Sequence, residues 1–509
     1  MNDRVMDSEV TDYEVIAVGA GFSGLCVGIK LLEAGIEDFA ILDAADGVGG
    51  VWRHNTYPGV AVDIPSATYS YSFAPNPSWS RAFAPGAELR EYAERVTDTY
   101  RLRGKLRLGV FVEKAVFDEN ADLWRVHTDA GVLTCRFLVG AVGPLDQPRV
   151  PDIEGVGTFL GKVVHTARWD HDHDLTGERV AVIGTGASGL QLIPKIAPLA
   201  RTLEVYQRTA IWVFPKLDFP IPAPVRALFR VAPFVQKGVR AVTTAGTEAI
   251  FVLGVIHHRR LPFLSKMIER VCRGHLRRQV RDRATRERLT PSYSFGCKRP
   301  SFSNSYLSTF NRPNVELVTD PIQKITPHGI VTADGTEREI DTLVLATGFR
   351  ILELGATPAF PVFGLDGVEL GEYWDGNRYQ NYEGVAMPQT PNFWLMNGPY
   401  SVTGASWFTM IEAGTRHIVR CVAEARRRGA TRMTVRRGPH DAYTARMREA
   451  IGSTIFSQPG CATSNSYYFD RHGDVPFIRA QSGARLWWDS GHFDLDDYAY
   501  ASSAAKKSE

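Results

Sequence analysis

Two glycine-rich stretches of the sequence have the residue types and spacing of loops that bind a dinucleotide. In the first, Gly19–Gly24 (GAGFSG) follows an apolar stretch and precedes a helical one, and Asp43 comes 19 residues after Gly24. Such glycines allow a tight turn and a close approach of backbone amides to a pyrophosphate, while the acid accepts from a ribose hydroxyl. The contacts that this stretch predicts come from Gly19, Gly21, Phe22, Ser23, Gly24 and Asp43.

The second stretch, Gly184–Gly189 (GTGASG), repeats the pattern, but the strand after its helix ends in Gln207-Arg208-Thr209 and not in an acid. An acid at that place would bind a free ribose 2′-hydroxyl, whereas Arg208 and a hydroxyl suit a 2′-phosphate, which favours NADPH over NADH. A solvated surface arginine is the alternative for Arg208. The expected NADPH contacts are Thr185, Gly186, Ser188, Gly189, Gln191, Arg208 and Thr209.

Between the two loops, Gly49–Asp63 (GGVWRHNTYPGVAVD) combines paired glycines, two aromatic residues and one acid. It begins shortly after Asp43, where a dinucleotide held by the first loop would extend its reactive ring. The stretch therefore predicts a flavin cradle and identifies the first dinucleotide as FAD, with contacts from Gly50, Val51, Trp52 and Asp63. Two dinucleotide sites in one chain imply hydride transfer between them.

The elements around these residues predict an α/β fold with two Rossmann-like dinucleotide-binding domains, for FAD and NADPH, and a helical insertion. Apolar periodicity predicts the following elements: strand Tyr13–Val18, helix Leu25–Glu33, strand Phe39–Leu42, helix Glu88–Tyr100, strands Leu108–Phe117, Trp124–Thr128 and Leu133–Ala141, strand Arg179–Ile183, helix Leu190–Ile196, strand Leu203–Tyr206, and a strand, loop and helix within Thr390–Arg428. Val112 would offer its backbone to the adenine of FAD.

The expected domain boundaries follow from these elements. The FAD-binding domain takes residues 12–155 and 341–500, and the NADPH-binding domain takes residues 156–214 and 295–340. A basic helical insertion occupies residues 215–294, and residues 501–509 form a disordered tail. A disordered leader precedes the first strand.

Composition limits the class of protein. A chain of 509 residues is too long for one ordinary core, so two or three domains are expected. Hydrophobic residues make up 44% and charged residues 22%, as in a globular, soluble protein. Met1–Thr11 is polar and acidic, and no uncharged apolar run approaches the roughly 18 residues of a membrane span. These features favour the cytoplasm.

The six cysteines, at positions 26, 135, 272, 297, 421 and 461, include no closely spaced pair. This spacing argues against a disulfide framework and against a zinc site. We therefore expect reduced, mostly buried thiols and no metal.

Residues 216–300 carry 18 Lys and Arg against 5 Asp and Glu, in a chain whose net charge is only +2. Apolar residues alternate with arginines at helical spacing in this segment. We favour a solvated helix face packed on the catalytic body. Contact with a membrane surface through residues 225–290 stays open as an alternative, and nucleic acid is not expected because no recognition motif accompanies the charge.

Two stretches resemble the signatures of type I Baeyer–Villiger monooxygenases, within the class B flavoprotein monooxygenases. FLGKVVHTARWD resembles their FxGxxxHxxxW[P/D] fingerprint, with Phe159, Gly161, His165, Trp169 and Asp170 at the specified positions, and the cradle resembles a second signature. The resemblance extends over roughly residues 13–420. It implies an enzyme that uses FAD, NADPH and O2 to convert a ketone into an ester or lactone through a C4a-peroxyflavin, with oligomeric state left open.

The resemblance also implies roles for single residues. Cys297-Lys298-Arg299 resembles the site where the lysine holds the NADPH 2′-phosphate and the arginine is catalytic. Asp63 would orient Arg299, and His165 would act as a linker residue that couples domain motion. From the family, Tyr69 and Trp407 are expected to line the flavin.

Three other functions share features with this sequence. A flavin-dependent N- or S-oxygenase shares the cofactors, but Arg299 and Trp169-Asp170 favour the ketone reaction. A pyridine nucleotide–disulfide reductase needs a redox cysteine pair after the first loop, where this chain has Trp52 and no cysteine. A flavoprotein that only binds or senses nucleotides would consume NADPH without forming an oxygenated product.

Overall fold

The computed structural model describes residues 11–502 of the chain. The expected disordered leader, up to residue 10, and the part of the expected tail from residue 503 onward lie outside the described residues. The strands in the described range are β1 (Tyr13–Val18), β2 (Phe39–Asp43), β3 (Leu106–Leu108), β4 (Val112–Asp118), β5 (Leu123–Thr128), β6 (Gly131–Gly140), β7 (Lys162–His165), β8 (Arg179–Ile183), β9 (Thr202–Tyr206), β10 (Val213–Phe214), β11 (Ser301–Phe302), β12 (Val315–Val318), β13 (Ile322–Ile325), β14 (Gly329–Thr332), β15 (Glu337–Glu339), β16 (Thr342–Leu345), β17 (Val362–Phe363), β18 (Phe393–Leu395), β19 (Arg432–Val435) and β20 (Tyr498–Ala501).

The helices connect and cover these strands. They are α1 (Phe22–Glu33), α2 (Val51–His54), α3 (Gly86–Thr99), α4 (Ala187–Ile196), α5 (Ala223–Val231), α6 (Pro233–Phe251), α7 (Pro262–Gln279), α8 (Arg283–Arg288), α9 (Tyr306–Thr309), α10 (Leu370–Asn377), α11 (Trp407–Arg428), α12 (Arg437–Ile451), α13 (Pro459–Ala462) and α14 (Gly483–His492). A π-helical turn, Val252–Ile256, continues α6.

The first sheet has eight strands in the order β17–β4–β5–β6–β1–β2–β3, and β18 also pairs with β6. The pairs β1–β2, β1–β6 and β2–β3 are parallel, whereas β4, β5 and β6 form the expected antiparallel meander. Strand β1 reads as an almost continuous apolar run because it lies inside the sheet with both faces covered. Helices α1, α3 and α11 share one core with β1 and β2.

The second sheet has five parallel strands in the order β12–β9–β8–β16–β7. Helix α4 shares a core with one face of this sheet, and the small antiparallel sheet β13–β14–β15 contributes to the core of the other face. The two sheets, each with a glycine loop after a central strand, confirm the predicted α/β fold with two Rossmann-like domains.

Several predicted boundaries differ from the observed ones. The stretch Leu108–Phe117 is not one strand, because it holds the end of β3 and most of β4. Strand β16 pairs with β7 and β8, so the return to the first domain begins after Leu345 and not at residue 341. Ala501 is not part of a disordered tail, since it pairs with Arg432 in the β19–β20 ladder.

The chain crosses between the two domains twice, and the two crossings pair with each other. Pro148 and Phe349 form an antiparallel bridge, flanked by the hydrogen bonds Arg149 N to Gly348 O and Arg350 N to Gln147 O, both 2.9 Å. The family resemblance implies hinges in the linkers near residues 155–178 and near residue 340. The first of these ranges contains β7 and the second adjoins β16, and both strands belong to the second sheet. The two crossings between the domains therefore lie side by side at residues 147–149 and 348–350.

The cysteine prediction was wrong for one pair. Cys297 and Cys461 form a disulfide across 164 residues of sequence, although the other four cysteines are free and buried as expected. Their distance in sequence gave no sign of the pairing, because only the fold brings α13 next to the loop before β11.

The basic segment forms helices α5 to α8 as predicted, but its packing is uneven. Helix α7 buries Cys272, His275 and Leu276, which fits the favoured interpretation of a packed helix. Helix α5 buries no residue, and α6 buries only Gln236. By length and composition, Pro233–Ile256 is the one helix among residues 11–502 that could cross a bilayer.

Candidate active site

The first glycine loop has the geometry of a pyrophosphate cradle. Gly19 has φ +112°, and a Cβ atom there would lie 2.8 Å from the carbonyl oxygen of Ala141, so only glycine fits. Helix α1 begins directly after Gly21, which directs its free amides toward the loop. The Asp43 carboxylate accepts from the amides of Ala20 at 2.6 Å and Ala45 at 2.8 Å, so it lies beside the glycine loop.

The cradle segment lies directly on the first loop. A Cβ atom on Gly50, which has φ +53°, would be 3.1 Å from Gly21 Cα, so the paired glycines allow the close backbone approach that we expected. The Phe22 side chain points into the core, with its ring centroid 4.7 Å from that of Phe408. Phe22 can therefore offer only its backbone to a ligand of this loop. Val112 is also buried.

Aromatic side chains form the wall beside the cradle. The rings of Trp52 and Tyr69 meet edge to face with centroids 5.5 Å apart, and Tyr69 meets Phe408 in the same way at 5.1 Å. Trp407, at the start of α11, packs partly buried against the cores of the first domain. Burial raises the pKa of Tyr69 above its usual value, so its hydroxyl stays protonated at physiological pH.

The second glycine loop repeats the geometry of the first. Gly184 has φ +108°, and a side chain there would collide with the carbonyl oxygen of Ala346, the residue directly after β16. Helix α4 begins after Gly186, so Ser188 and Gly189 belong to its first turn and Thr185 lies buried just before it. The loop amides and the helix start together form a second anion site.

Two cations stand at the far end of this second site. Burial, and next the positive charge of Arg208, lower the pKa of Lys298 from 10.5 to about 8. Within residues 11–502, neither Lys298 nor Arg208 forms an ion pair with a carboxylate, so both charges are available to an anion. Thr209, the third predicted phosphate ligand, accepts from Asn465 Nδ2 at 2.8 Å. Because Arg208 repels the charge of Lys298, the fold must place these residues, 90 positions apart in sequence, near each other, as a 2′-phosphate site requires.

Arg299 and Asp63 form a paired charge between the domains. Arg299 Nε and Nη2 donate to the two carboxylate oxygens of Asp63 at 2.9 and 2.8 Å, a bidentate contact. The carboxylate raises the pKa of Arg299 well above its ordinary value. The Arg299 side chain keeps 41% of its surface exposed, so it can meet another group while Asp63 holds it. The structure thus brings together the two predicted catalytic residues.

Three contacts fix the loop that carries Arg299. Strand β11 follows directly and pairs in parallel with β10. The disulfide of Cys297 ties the loop to α13 on the other side. Beyond α13, the hydroxyls of Tyr467 and Tyr468 lie close enough to the guanidinium to interact with it electrostatically. The segment that carries Tyr467 and Tyr468 therefore borders the site.

Gln191 is engaged with the flavin cradle rather than free for a nucleotide. Its amide accepts from the Tyr57 hydroxyl at 2.9 Å and from the Ala61 amide at 3.3 Å, and it donates to the Ala61 carbonyl at 2.9 Å. Because Gln191 lies on α4 and Ala61 in the cradle, these bonds connect the two dinucleotide domains directly beside Asp63. Sequence reasoning missed this role, since the two residues are 130 positions apart.

The fingerprint stretch forms the edge of the second sheet. Phe159 is buried, Gly161 lies against the Asp341 carbonyl where no side chain would fit, and His165 closes β7. His165 Nε2 lies 3.4 Å from Thr347 Oγ1, and its ring meets Phe349 edge to face. Thr347 and Phe349 belong to the interdomain crossing, so His165 contacts the expected linker and not the paired charge.

The end of the fingerprint faces the cradle across a cleft of about 710 Å³. Trp169 and Asp170 line one wall, and Arg53 and His54 of α2 line the other. Asp170 also pairs with Lys162 of β7. Trp169 is half-buried against the core of the second domain, so Trp169 and Asp170, the pair that favours the ketone reaction, lie at the cleft between the domains.

Comparisons with known proteins agree with this geometry. A family profile described as Pyridine nucleotide-disulphide oxidoreductase matches residues 16–222. A Baeyer–Villiger monooxygenase of Streptomyces coelicolor is 37% identical over 95% of this chain and 92% of its own length. The chain belongs to the Baeyer–Villiger monooxygenase family. A second such enzyme, from Pseudomonas aeruginosa, is 36% identical over 88% of this chain and 84% of its own.

Among solved structures, an oxidised steroid monooxygenase bound to NADP superimposes with a TM-score of 0.84 at 30% identity. The match covers 97% of this chain and 100% of that one. The predicted class is thus confirmed: the chain is an NADPH-dependent flavin monooxygenase of the Baeyer–Villiger family, with FAD and NADPH as its cofactors. The profile match to disulphide oxidoreductases reflects the shared dinucleotide fold, because no cysteine follows the first loop at the place of a redox pair.

Both cofactors fit the residues of this Baeyer–Villiger monooxygenase. Gly19 and Gly24 in the first loop, and Gly184 and Gly189 in the second, leave no room for a side chain. Both loops end at helix starts, whose free amides are donors for a pyrophosphate. The unpaired Lys298 and Arg208 would hold the additional phosphate of NADPH. The residues that sequence reasoning missed, Tyr57 and Asn465, act through hydrogen bonds to positions far away in the chain, so no local pattern marks them.

Proposed function

We propose that this monooxygenase inserts one oxygen atom of O2 beside the carbonyl of a ketone to give an ester or lactone, with Arg299 as the catalytic residue. The bidentate Arg299–Asp63 contact carries the proposal, because it presents a fixed positive charge between the two dinucleotide loops. When bound, FAD takes a hydride from NADPH and activates O2 for transfer to the substrate. The residues of the chain would bind and orient both cofactors and stabilise negative charge on the transferred oxygen.

Arg299 would hold negative charge on oxygen during the transfer. A guanidinium remains protonated at every physiological pH, and the Asp63 carboxylate raises its pKa further. A fixed donor aimed at a developing oxyanion needs no rearrangement during reaction, which is why such groups lower barriers by about 3–4 kcal/mol. Asp63 is the positioning residue, since its two oxygens define the plane of the guanidinium.

The ring of the flavin would rest against Gly50, Val51, Trp52 and Tyr69, with Trp407 at the start of α11. The adenosine half would take Asp43 and the backbone of Val112, and the pyrophosphate would meet Gly19–Gly24. This assignment is supported by the alignment of loop, helix start and cradle along the carboxyl ends of β1 and β2, where open α/β sheets bind ligands.

NADPH would place its pyrophosphate on Thr185, Gly186, Ser188 and Gly189, and its 2′-phosphate on the cationic end of the site. There Lys298, Arg208 and Thr209 offer two charges and a hydroxyl, which favours NADPH over NADH. Gln191 takes a different role from the expected one. Its three hydrogen bonds to the cradle would transmit the position of the NADPH domain to Asp63 and hence to Arg299.

The test is product analysis with wild-type enzyme, Arg299→Ala and Arg299→Lys on a ketone and on a thioether. We expect wild type to convert the ketone to an ester, and Arg299→Ala to consume NADPH and release hydrogen peroxide with little ester. Arg299→Lys keeps one positive charge without the bidentate fork and should retain a small part of the activity. Ester formation by Arg299→Ala at the wild-type rate would contradict the catalytic role.

A flavin-dependent N- or S-oxygenase remains the alternative reaction. Assays of the same wild-type preparation decide between the two reactions. Turnover of the thioether with no turnover across a panel of linear, cyclic and aryl ketones would favour sulfur oxidation. The enzyme acts on a small molecule with O2 and NADPH. A location in the cytoplasm and the absence of a nucleic-acid partner belong to the proposal, and cell fractionation with antibody detection would test the location.

A further inference from the structure

Helix α6 is oriented the opposite way from an ordinary surface helix. Its polar side faces the protein, where Gln236 Nε2 donates to the Asn76 carbonyl at 2.7 Å. One turn later, Arg240 donates to the Ser70 carbonyl at 2.7 Å. These bonds hold the helix to the catalytic body through polar side chains, not through an apolar stripe.

The side of α6 that faces outward is apolar. Most exposed positions of α6 are apolar or glycine and many repeat at helical spacing, as at Gly238, Ala241, Val242, Ala245, Ala249 and Ile250, while Lys237 is the exposed cation of this helix. A soluble helix buries such a stripe and presents polar residues to water. The reversed arrangement indicates that this face meets an apolar medium.

The neighbouring helices extend this apolar face. Ten of the 22 exposed large hydrophobic side chains in the described part of the chain lie within residues 223–271, the segment from α5 into α7. Val231, Phe234, Val242, Ile250 and Phe263 expose between 59% and 82% of their surface. Ten exposed apolar side chains within one segment of 49 residues indicate an interaction surface, because soluble monomers usually scatter such residues singly.

Exposed cations border the same face. Lys237, Arg259, Arg260, Lys266 and Arg270 are exposed, and within residues 11–502 none of them forms an ion pair. Phe263 and Met267 alternate with Lys266 and Arg270 on α7, so apolar and basic groups lie side by side. Apolar residues flanked by unpaired Lys and Arg match a layer of hydrocarbon below anionic headgroups.

We propose that residues 223–271 dock the enzyme on the surface of a bilayer that contains anionic lipid. Helix α6 would lie in the interface with Val242 and Ile250 among the acyl chains, and Arg259 and Arg260 would meet the headgroups. The helix does not cross the bilayer, although its length would suffice, because its inner side is bound to the protein. Glu248 adds to this attachment by accepting from the Gly483 amide at 2.6 Å.

Flotation of the FAD-loaded enzyme with vesicles tests the proposal. We expect wild type to float with vesicles of phosphatidylcholine mixed with phosphatidylglycerol, and much less with phosphatidylcholine alone. Val242→Glu/Ile250→Glu should reduce binding at least tenfold, while Val132→Glu, which adds one charge at an exposed apolar position of β6, should bind like wild type. Arg259→Gln/Arg260→Gln should weaken binding to the anionic vesicles about 30-fold.

These changes lie on the surface and outside the site, so ketone-dependent NADPH oxidation and bound flavin should remain at wild-type level in every variant. The proposal fails if wild type stays out of the floating fraction at low salt, or if the double glutamate variant floats as wild type does. The proposal also fails if light scattering shows that wild type is a dimer, that the double glutamate variant is a monomer, and that vesicles do not change the wild-type dimer. The apolar face would then join two copies of this chain.

Discussion

The lowered pKa of Lys298 predicts that affinity for NADPH depends on pH in a way that affinity for NADH does not. The pKa of Lys298 is about 8, mainly because the side chain is buried and secondly because Arg208 repels its charge. A lysine is charged below its pKa, so the cationic site is complete near neutral pH and loses one charge as the pH rises through about 8. The 2′-phosphate keeps its charge over this range, as phosphate monoesters titrate near pH 6.

The size of the change in the KM for NADPH follows from the fraction of Lys298 that is charged. At about pH 9, one unit above this pKa, roughly a tenth of Lys298 carries a proton, compared with about nine tenths near pH 7. If the charged form alone holds the phosphate, the apparent KM for NADPH rises close to tenfold, which corresponds to about 1.4 kcal/mol. Bound phosphate stabilises the proton, so tenfold is the upper limit.

Initial rates at saturating ketone, measured by NADPH absorbance from about pH 7 to about pH 9.5, give the KM profile. Lys298→Arg is the matched variant, because a guanidinium stays charged throughout and should flatten the profile. NADH lacks the 2′-phosphate and is the matched ligand. Arg208→Ala should raise KM at neutral pH and move the rise in KM to higher pH, since it removes a repulsive charge. A flat profile for wild type, or a parallel rise for NADH, would refute the reasoning.

Three further predictions concern residues that shape the site. Gly19→Ala should yield protein without yellow colour, because its Cβ would lie 2.8 Å from a backbone oxygen at φ +112°; the absorbance spectrum of the purified protein checks this. Cys461→Ser should lower the free energy of unfolding by about 2–4 kcal/mol in urea titration, and a reducing agent should do the same to wild type but not to the variant. Gln191→Ala should lower kcat several-fold with little change in the Kd for NADP+, since it removes bonds to the cradle; a large loss of affinity with normal kcat would instead make Gln191 a nucleotide ligand.

Local rules accounted for the parts of the fold where one periodicity dominates. Strands β1 and β8 have the predicted boundaries because each is a short apolar run bounded by polar residues and a glycine loop. The stretch Leu108–Phe117 did not follow such a rule, since residues 109–111 separate β3 from β4 although apolar residues continue through them. The apolar pattern of β16 would suit a strand of either domain. Only its pairing with β7 and β8 assigns it to the second domain.

The packing of the basic segment could not be read from helical periodicity. The pattern in α6 has an apolar and a polar side, and the usual rule buries the apolar one. The structure does the reverse, because Gln236, Arg240 and Glu248 find backbone partners on the protein surface that satisfy them. Which side of a helix is buried depends on what lies opposite, and the sequence of the helix does not contain that information.

Sequence alone determined what each stretch can bind: glycine spacing, helix starts and the acid or cation at a strand end act locally, within about 30 residues. Arg299 and Asp63 could be assigned to one site only through the likeness to a family. The tertiary structure decided the contacts between distant residues, which include the Arg299–Asp63 pair, the Cys297–Cys461 disulfide and the Gln191 bridge to the cradle. The physical reason is range, because a hydrogen bond or a disulfide needs its atoms within a few ångströms, and only the assembled fold sets such distances across hundreds of residues.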